Sequence, residues 1–208
     1  MRIDEAIVHV GGGNPKEWAV ASELQFKVLR DHGLTPSSSV LEVGAGCLGL
    51  ARLLVPYLNE GGYTGIEPNE DVTGAVAPLD PDRDTILLTC SDFDSSEAER
   101  TFDIVFAHSV LTHIGAPQLP EFLHNIRPHL REGSLILASL RLGEKDTATD
   151  TWTYPRAVEF SLETLEATSK QEGYTVELRS AIRDKCEAAL PRMFHDWVLF
   201  RPVAPASE

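Results

Sequence analysis

At 208 residues the chain has room for one ordinary domain with a sizeable core. Its 24% charged and 42% hydrophobic residues are the balance of a globular protein, neither disordered nor membrane-embedded. Thirty-two acids against eighteen lysines and arginines give a formal charge of −14, which repels a phosphate backbone; with no basic cluster to offset it, a nucleic-acid substrate is disfavoured.

The longest apolar stretches, such as 134–140, are strand-sized, far below the roughly 20 residues of a bilayer span, so no membrane segment is expected. The N-terminus mixes acids into its apolar residues and lacks the form of a secretory signal, so the reading is cytoplasmic. Three widely spaced cysteines, Cys47, Cys90 and Cys186, form no CxxC pair, which makes reduced thiols the default.

From Pro15 to about Asp31, Val20, Leu24 and Val28 recur at four-residue spacing and Gly33 follows as a stop, which predicts an amphipathic helix. A strand at 39–43 then breaks into glycines and re-emerges as a helical pattern over 48–58, with Leu50, Leu53, Leu54 and Leu58 on one side. A second short strand at 63–66 closes on Glu67-Pro68-Asn69. Further strands are expected at 85–89, 102–107 and 135–139, with a helix over 119–130 between the last two. This alternation argues a parallel sheet covered by helices on both faces. Two last strands, 174–179 and 197–201, leave no room for a full crossover helix and are expected to be antiparallel. The aperiodic segment 141–160 is long enough to count as a functional loop.

The chemistry concentrates in LEVGAGCLGL, where Gly44, Gly46 and Gly49 follow a strand and open a helix. Glycines there allow a sharp turn and a close ligand approach that a Cβ would block. Glu67 ends the second strand eighteen residues past Gly49, where an acid accepts hydrogen bonds from ribose hydroxyls. Asp92 and Phe93 follow the third strand and offer an acceptor for an amino group beside an aromatic cover. Helix capping by Asp92 and core packing by Phe93 are the structural alternatives.

These segments resemble the class I S-adenosylmethionine-dependent methyltransferases from about residue 37 to 203, with the nearest likeness to small-molecule enzymes. VLEVGAG resembles the first motif, with Glu42 as its leading acid, and GIEPN the second, with Glu67 as the ribose acid. CSDFD resembles the adenine-contacting segment, FDIVFAHSVLTHI the fourth-strand border of the transfer site, and IRPHLREGSLILAS the next helix and strand.

The resemblance implies a single domain over 1–208, with an N-terminal helical cap at 1–36 and a Rossmann-like, doubly wound α/β core at 37–203. It further implies strand order 3-2-1-4-5-7-6 with the seventh antiparallel. S-adenosyl-L-methionine is the implied cofactor, held by Glu42, Gly44, Ala45, Gly46, Gly49, Glu67, Pro68, Asp92, Phe93, His108 and Ser109. Methyl transfer from a sulfonium needs alignment rather than a protein nucleophile, and a hydroxyl acceptor also needs a base. His113 and His108, at and after the end of the fourth strand, are the catalytic candidates, with packing beneath the cofactor as the alternative for His113. Trp152, Tyr154, Arg156 and Trp18 are candidate substrate contacts, or else aromatics that pin a loop and a helix to the core.

The absence of an Asn-Pro-Pro-Tyr segment argues against amino methylation of nucleobases or glutamine. No HExxH pattern occurs and no metal is expected. The acceptor is read as a small molecule, and exposed aromatics with the long loop would permit a homodimer. A nicotinamide-dependent oxidoreductase shares the glycine spacing and the acid, but a helix before the first strand and an antiparallel ending separate it from this chain. A non-catalytic S-adenosylmethionine-binding protein is the other alternative.

Overall fold

A computed structural model describes residues 2–10, 13–72, 86–89, 92–94 and 99–203. Two helices, α1 (Ile3–His9) and α2 (Pro15–Asp31), precede β1 (Val40–Val43), α3 (Ala51–Leu54), β2 (Tyr63–Ile66), β3 (Ile86–Leu88) and β4 (Phe102–Ala107). There follow α4 (Gln118–Ile126), a 3-10 turn at Arg127–His129, β5 (Leu130–Leu140), α5 (Leu162–Gln171), β6 (Tyr174–Leu178), α6 (Ser180–Ala189) and β7 (Asp196–Pro202). The seven strands form one sheet in the order β3-β2-β1-β4-β5-β7-β6, with β7 antiparallel to both neighbours, as the resemblance implied.

Side chains alternate across the central strands, which therefore feed two apolar layers. Val40, Tyr63, Ile104, Phe106, Leu137, Trp197 and Leu199 face one layer with α1, α2, α3 and α6. Leu41, Ile66, Val105, Ile136, Val198 and Phe200 face the other with Phe122 and Leu123 of α4 and Leu165 of α5. The two-sided covering explains why β1 is buried throughout, Glu42 included.

Helix α2 occupies the expected span: the Asn14 side chain accepts from the N–H groups of Lys16 and Glu17, and Pro15 starts the helix. The helix expected over 48–58 is only one turn of α-helix, Ala51–Leu54. Leu48 stands in the left-handed region at φ 54°, which delays its start, and Pro56 has no N–H to continue it. The segment between the last two strands, expected to leave no room for a full crossover helix, nonetheless holds a helix of 10 residues. Helix α6 lies there, burying Ile182 and Cys186 at four-residue spacing, although the pair it connects is antiparallel as expected. Strand β5 extends five residues ahead of the expected segment. Thr85, Cys90 and Ser91 lie outside the described residues, as do Gly11 and Gly12.

Candidate active site

In a parallel sheet the loops at the carboxyl ends of the strands build the ligand crevice. Here those loops surround a cavity of about 760 Å³, within the usual range for small-molecule sites. Because β7 runs the other way, its beginning reaches the same edge: Leu140 at the end of β5 pairs with Asp196 at the start of β7.

The glycine turn is tied to the end of β2. The N–H groups of Gly44 and Ala45 both donate to the Ile66 carbonyl, at 2.8 and 2.9 Å. Gly44 adopts φ 74°, and a Cβ there would collide with the Val110 side chain from the loop after β4. Gly49 also borders the cavity, and a Cβ there would lie 2.8 Å from Trp18 Nε1 and push away α2. With the turn held against β2, Gly46 N–H donates to Glu67 Oε2 at 2.8 Å and Asn69 N–H to Glu67 Oε1 at 3.0 Å. Burial raises the Glu67 carboxyl above its ordinary value, and these two N–H donors and His9 oppose the rise.

Glu42 is more enclosed. Tyr63 Oη donates to its Oε2 at 2.6 Å, yet burial dominates and pushes its pKa up to about 8, with the Glu67 charge adding to the rise. Cys47, in the same turn, is a buried free thiol pushed up to about 11 by burial and by Glu67, so it is no nucleophile at neutral pH. Beyond the acids, Phe93 is buried with its ring 5.8 Å from that of Trp152, and both border the cavity.

The other end is lined with nitrogen. His108 accepts from Gln25 Nε2 through Nδ1 at 3.0 Å, which leaves its proton on Nε2, a buried atom without a partner among the described residues. Burial chiefly, then His195 and Arg192, hold His108 down at about 3, and its ring stacks on Trp197. His113 donates from Nδ1 to the Arg156 carbonyl at 3.0 Å, so its Nε2 carries the free lone pair. Burial lowers the pKa of His113, the hydrogen bond to Arg156 partly offsets this, and Arg141 lowers it further.

Of the other sequence-derived candidates, Gly46, Pro68, Ser109, Trp18 and Tyr154 border the cavity, and Ser109 N–H donates to Ser139 Oγ at 2.8 Å. Tyr154 Oη also donates to the His9 carbonyl, joining the long loop to α1. Two candidates are placed elsewhere. The exposed Asp92 accepts from the Asp94 N–H, as an Asx turn does, and does not border the cavity. The Arg156 side chain is exposed and away from it, its contribution being the backbone carbonyl that fixes His113.

Gln25, Arg141, Arg192, Phe194 and His195 border the cavity although the motif reading did not single them out. The rule that strand ends bear ligands would have flagged Arg141, the first residue after β5. Among the described residues no cluster of His, Cys, Asp or Glu could hold a metal ion, and no helix is long and apolar enough to cross a membrane.

A doubly wound sheet with an antiparallel β7, a glycine turn after β1 and an acid after β2 defines a methyltransferase-like α/β protein. Residues 41–136 match the family model described as a methyltransferase domain. It is similar in structure to the CcbJ methyltransferase from Streptomyces caelestis, at TM-score 0.64 and 14% identity, over 88% of this chain and 90% of that one. It is also similar to the glycopeptide N-methyltransferase MtfA complexed with S-adenosyl-L-methionine (0.60, 15%, 87% and 93%). A third is the magnesium protoporphyrin IX methyltransferase ChlM from Synechocystis PCC 6803 with bound SAM (0.62, 12%, 89% and 79%).

Proposed function

We propose that the chain binds S-adenosyl-L-methionine and transfers its methyl group to a small-molecule acceptor, a hydroxyl or amine of a metabolite or natural product. The observation that carries this reading is the buried Glu67 carboxylate beside the glycine turn, bordering one cavity with a histidine that has a free lone pair.

The residues present fit the cofactor. Glu67 has lone pairs left for ribose hydroxyls after its two backbone bonds. Phe93 and Trp152 offer apolar faces to an adenine ring. Glu42 supplies a buried carboxyl that a cationic ligand would draw into its ionised form. When bound, the cofactor supplies an electrophilic methyl group on a positively charged sulfur. The protein's share is to hold the acceptor in line with that carbon and to exclude water. For a hydroxyl acceptor, His113 Nε2 takes the proton while the Arg156 carbonyl keeps Nδ1 protonated.

A nicotinamide reading is less well supported, because the dinucleotide fold continues 3-2-1-4-5-6 in parallel, whereas this sheet ends with an antiparallel β7. Parallel calorimetric titration with S-adenosylmethionine, S-adenosylhomocysteine, NAD and NADP tests the choice. Saturable binding of the first two alone is expected; binding of a nicotinamide cofactor alone would overturn the reading.

A further inference from the structure

The end of the cavity over β4, β5 and β7 carries an uncompensated positive charge. Arg141 follows β5 and its guanidinium lies 4.7 Å from the centre of the Phe194 ring, with no carboxylate partner among the described residues. The nearby acids are engaged: Asp196 pairs with Arg183 at 2.8 Å and accepts from Leu142 N–H at 2.9 Å, and Glu17 pairs with Arg192 at 3.3 Å. Two imidazoles complete the wall. His195 Nδ1, like His108 Nε2, is buried without a partner among the described residues.

An arginine stays charged at any ordinary pH, and a partly desolvated guanidinium without a counter-ion is costly, especially in a protein of net charge −14 that could have supplied one. That charge also bears on the neighbouring imidazoles. Burial holds His195 down at about 4, and the charge of Arg141 is the next largest contribution. Arg141 also depresses His113. The groups left open are therefore a fork of donors and the imidazole N–H of His108, a set matched to an oxygen anion.

We propose that the acceptor is a small molecule bearing an oxyanion, carboxylate or phosphate, held by Arg141 with His108 and His195 beside it. This rests on the methyltransferase reading, and the sheet order gives it a geometry. Glu67 follows β2 and Arg141 follows β5, three strand spacings along the same edge, or about 14 Å. Cofactor and anion thus occupy different ends of the cavity, and the anionic group serves as a handle at the far end.

The test is calorimetry on protein saturated with S-adenosylhomocysteine, using matched aryl carboxylates and aryl carboxamides together with phenyl phosphate. At least one oxyanion probe should bind about tenfold more tightly than its neutral partner, a difference of about 1.4 kcal/mol. The carboxylate and phosphate arms show which oxyanion fits. Arg141→Met should erase the preference and Arg141→Lys retain part of it, since lysine keeps the charge and loses the fork. S-adenosylhomocysteine affinity should stay unchanged in both variants. Binding of S-adenosylhomocysteine with no oxyanion preference, or a preference that survives Arg141→Met, overturns the acceptor assignment and spares the cofactor reading. Failure of wild type to bind S-adenosylhomocysteine overturns the reading on which the assignment depends.

Discussion

The two ends of the cavity are built from opposite chemistry. Over β1 and β2 stand two buried carboxyls, Glu42 and Glu67, tied to backbone N–H groups and a tyrosine. Over β4, β5 and β7 stand an arginine and three histidines whose pKa values are held low. Desolvation acts at both ends, raising the acids and lowering the imidazoles, so each group is driven toward its neutral form. Arg141 alone keeps its charge uncompensated, so the site gains electrostatically when a cation enters one end and an anion the other. The lesson is that one strip of sheet edge separates two kinds of recognition by strand order alone.

The strongest way to break the comparison is at the acid end. Gly46→Arg should abolish S-adenosylmethionine binding, because Gly46 borders the cavity and its N–H positions Glu67, whereas oxyanion probes should still reach Arg141. Parallel titrations of the variant check this; loss of both would mean a collapsed site. At the other end, His113→Ala should leave cofactor affinity intact and lower kcat on a hydroxyl acceptor by about a hundredfold, as expected for a lost general base. In wild type the acid limb of the rate profile should fall below 6.5, the direction in which His113 is shifted. A kcat insensitive to His113→Ala would leave that histidine a structural role.

The difference between the ends also decided what the sequence could reveal. Glu42, the glycine turn and Glu67 lie on two adjacent strands and one turn, so spacing along the chain carried their meaning. His113 was visible because it follows a parallel strand. Arg141 was passed over inside a segment read only as an aperiodic loop, and Gln25 meets His108 across 83 residues of chain. His195 was harder still, since β7 is reversed and its start, not its end, faces the site. The sheet order was legible through the family likeness, whereas the single-turn α3 was not, because a left-handed Leu48 leaves no mark on a leucine pattern.

A smaller effect sharpens the electrostatic half of the comparison. With its pKa up at about 8, above the ordinary 4.5, folded Glu42 holds a proton that the unfolded chain releases between those values. Its contribution is intact below about 4.5, and stability declines as pH rises through about 8. The Tm of the ligand-free protein should therefore fall from pH 7 to pH 9, above the range in which the low-lying histidines titrate, and Glu42→Gln should flatten that slope; an unchanged slope would place the titrating group elsewhere.

The measurement that bears most directly on the two-ended site is a crystal structure with bound S-adenosylhomocysteine. The account predicts ribose hydroxyls on the Glu67 carboxylate, the adenine against Phe93 and Trp152, and the sulfur facing the space between the glycine turn and His113, with Arg141 untouched. A ligand whose ribose contacts Arg141 or His195 in place of Glu67 would contradict it.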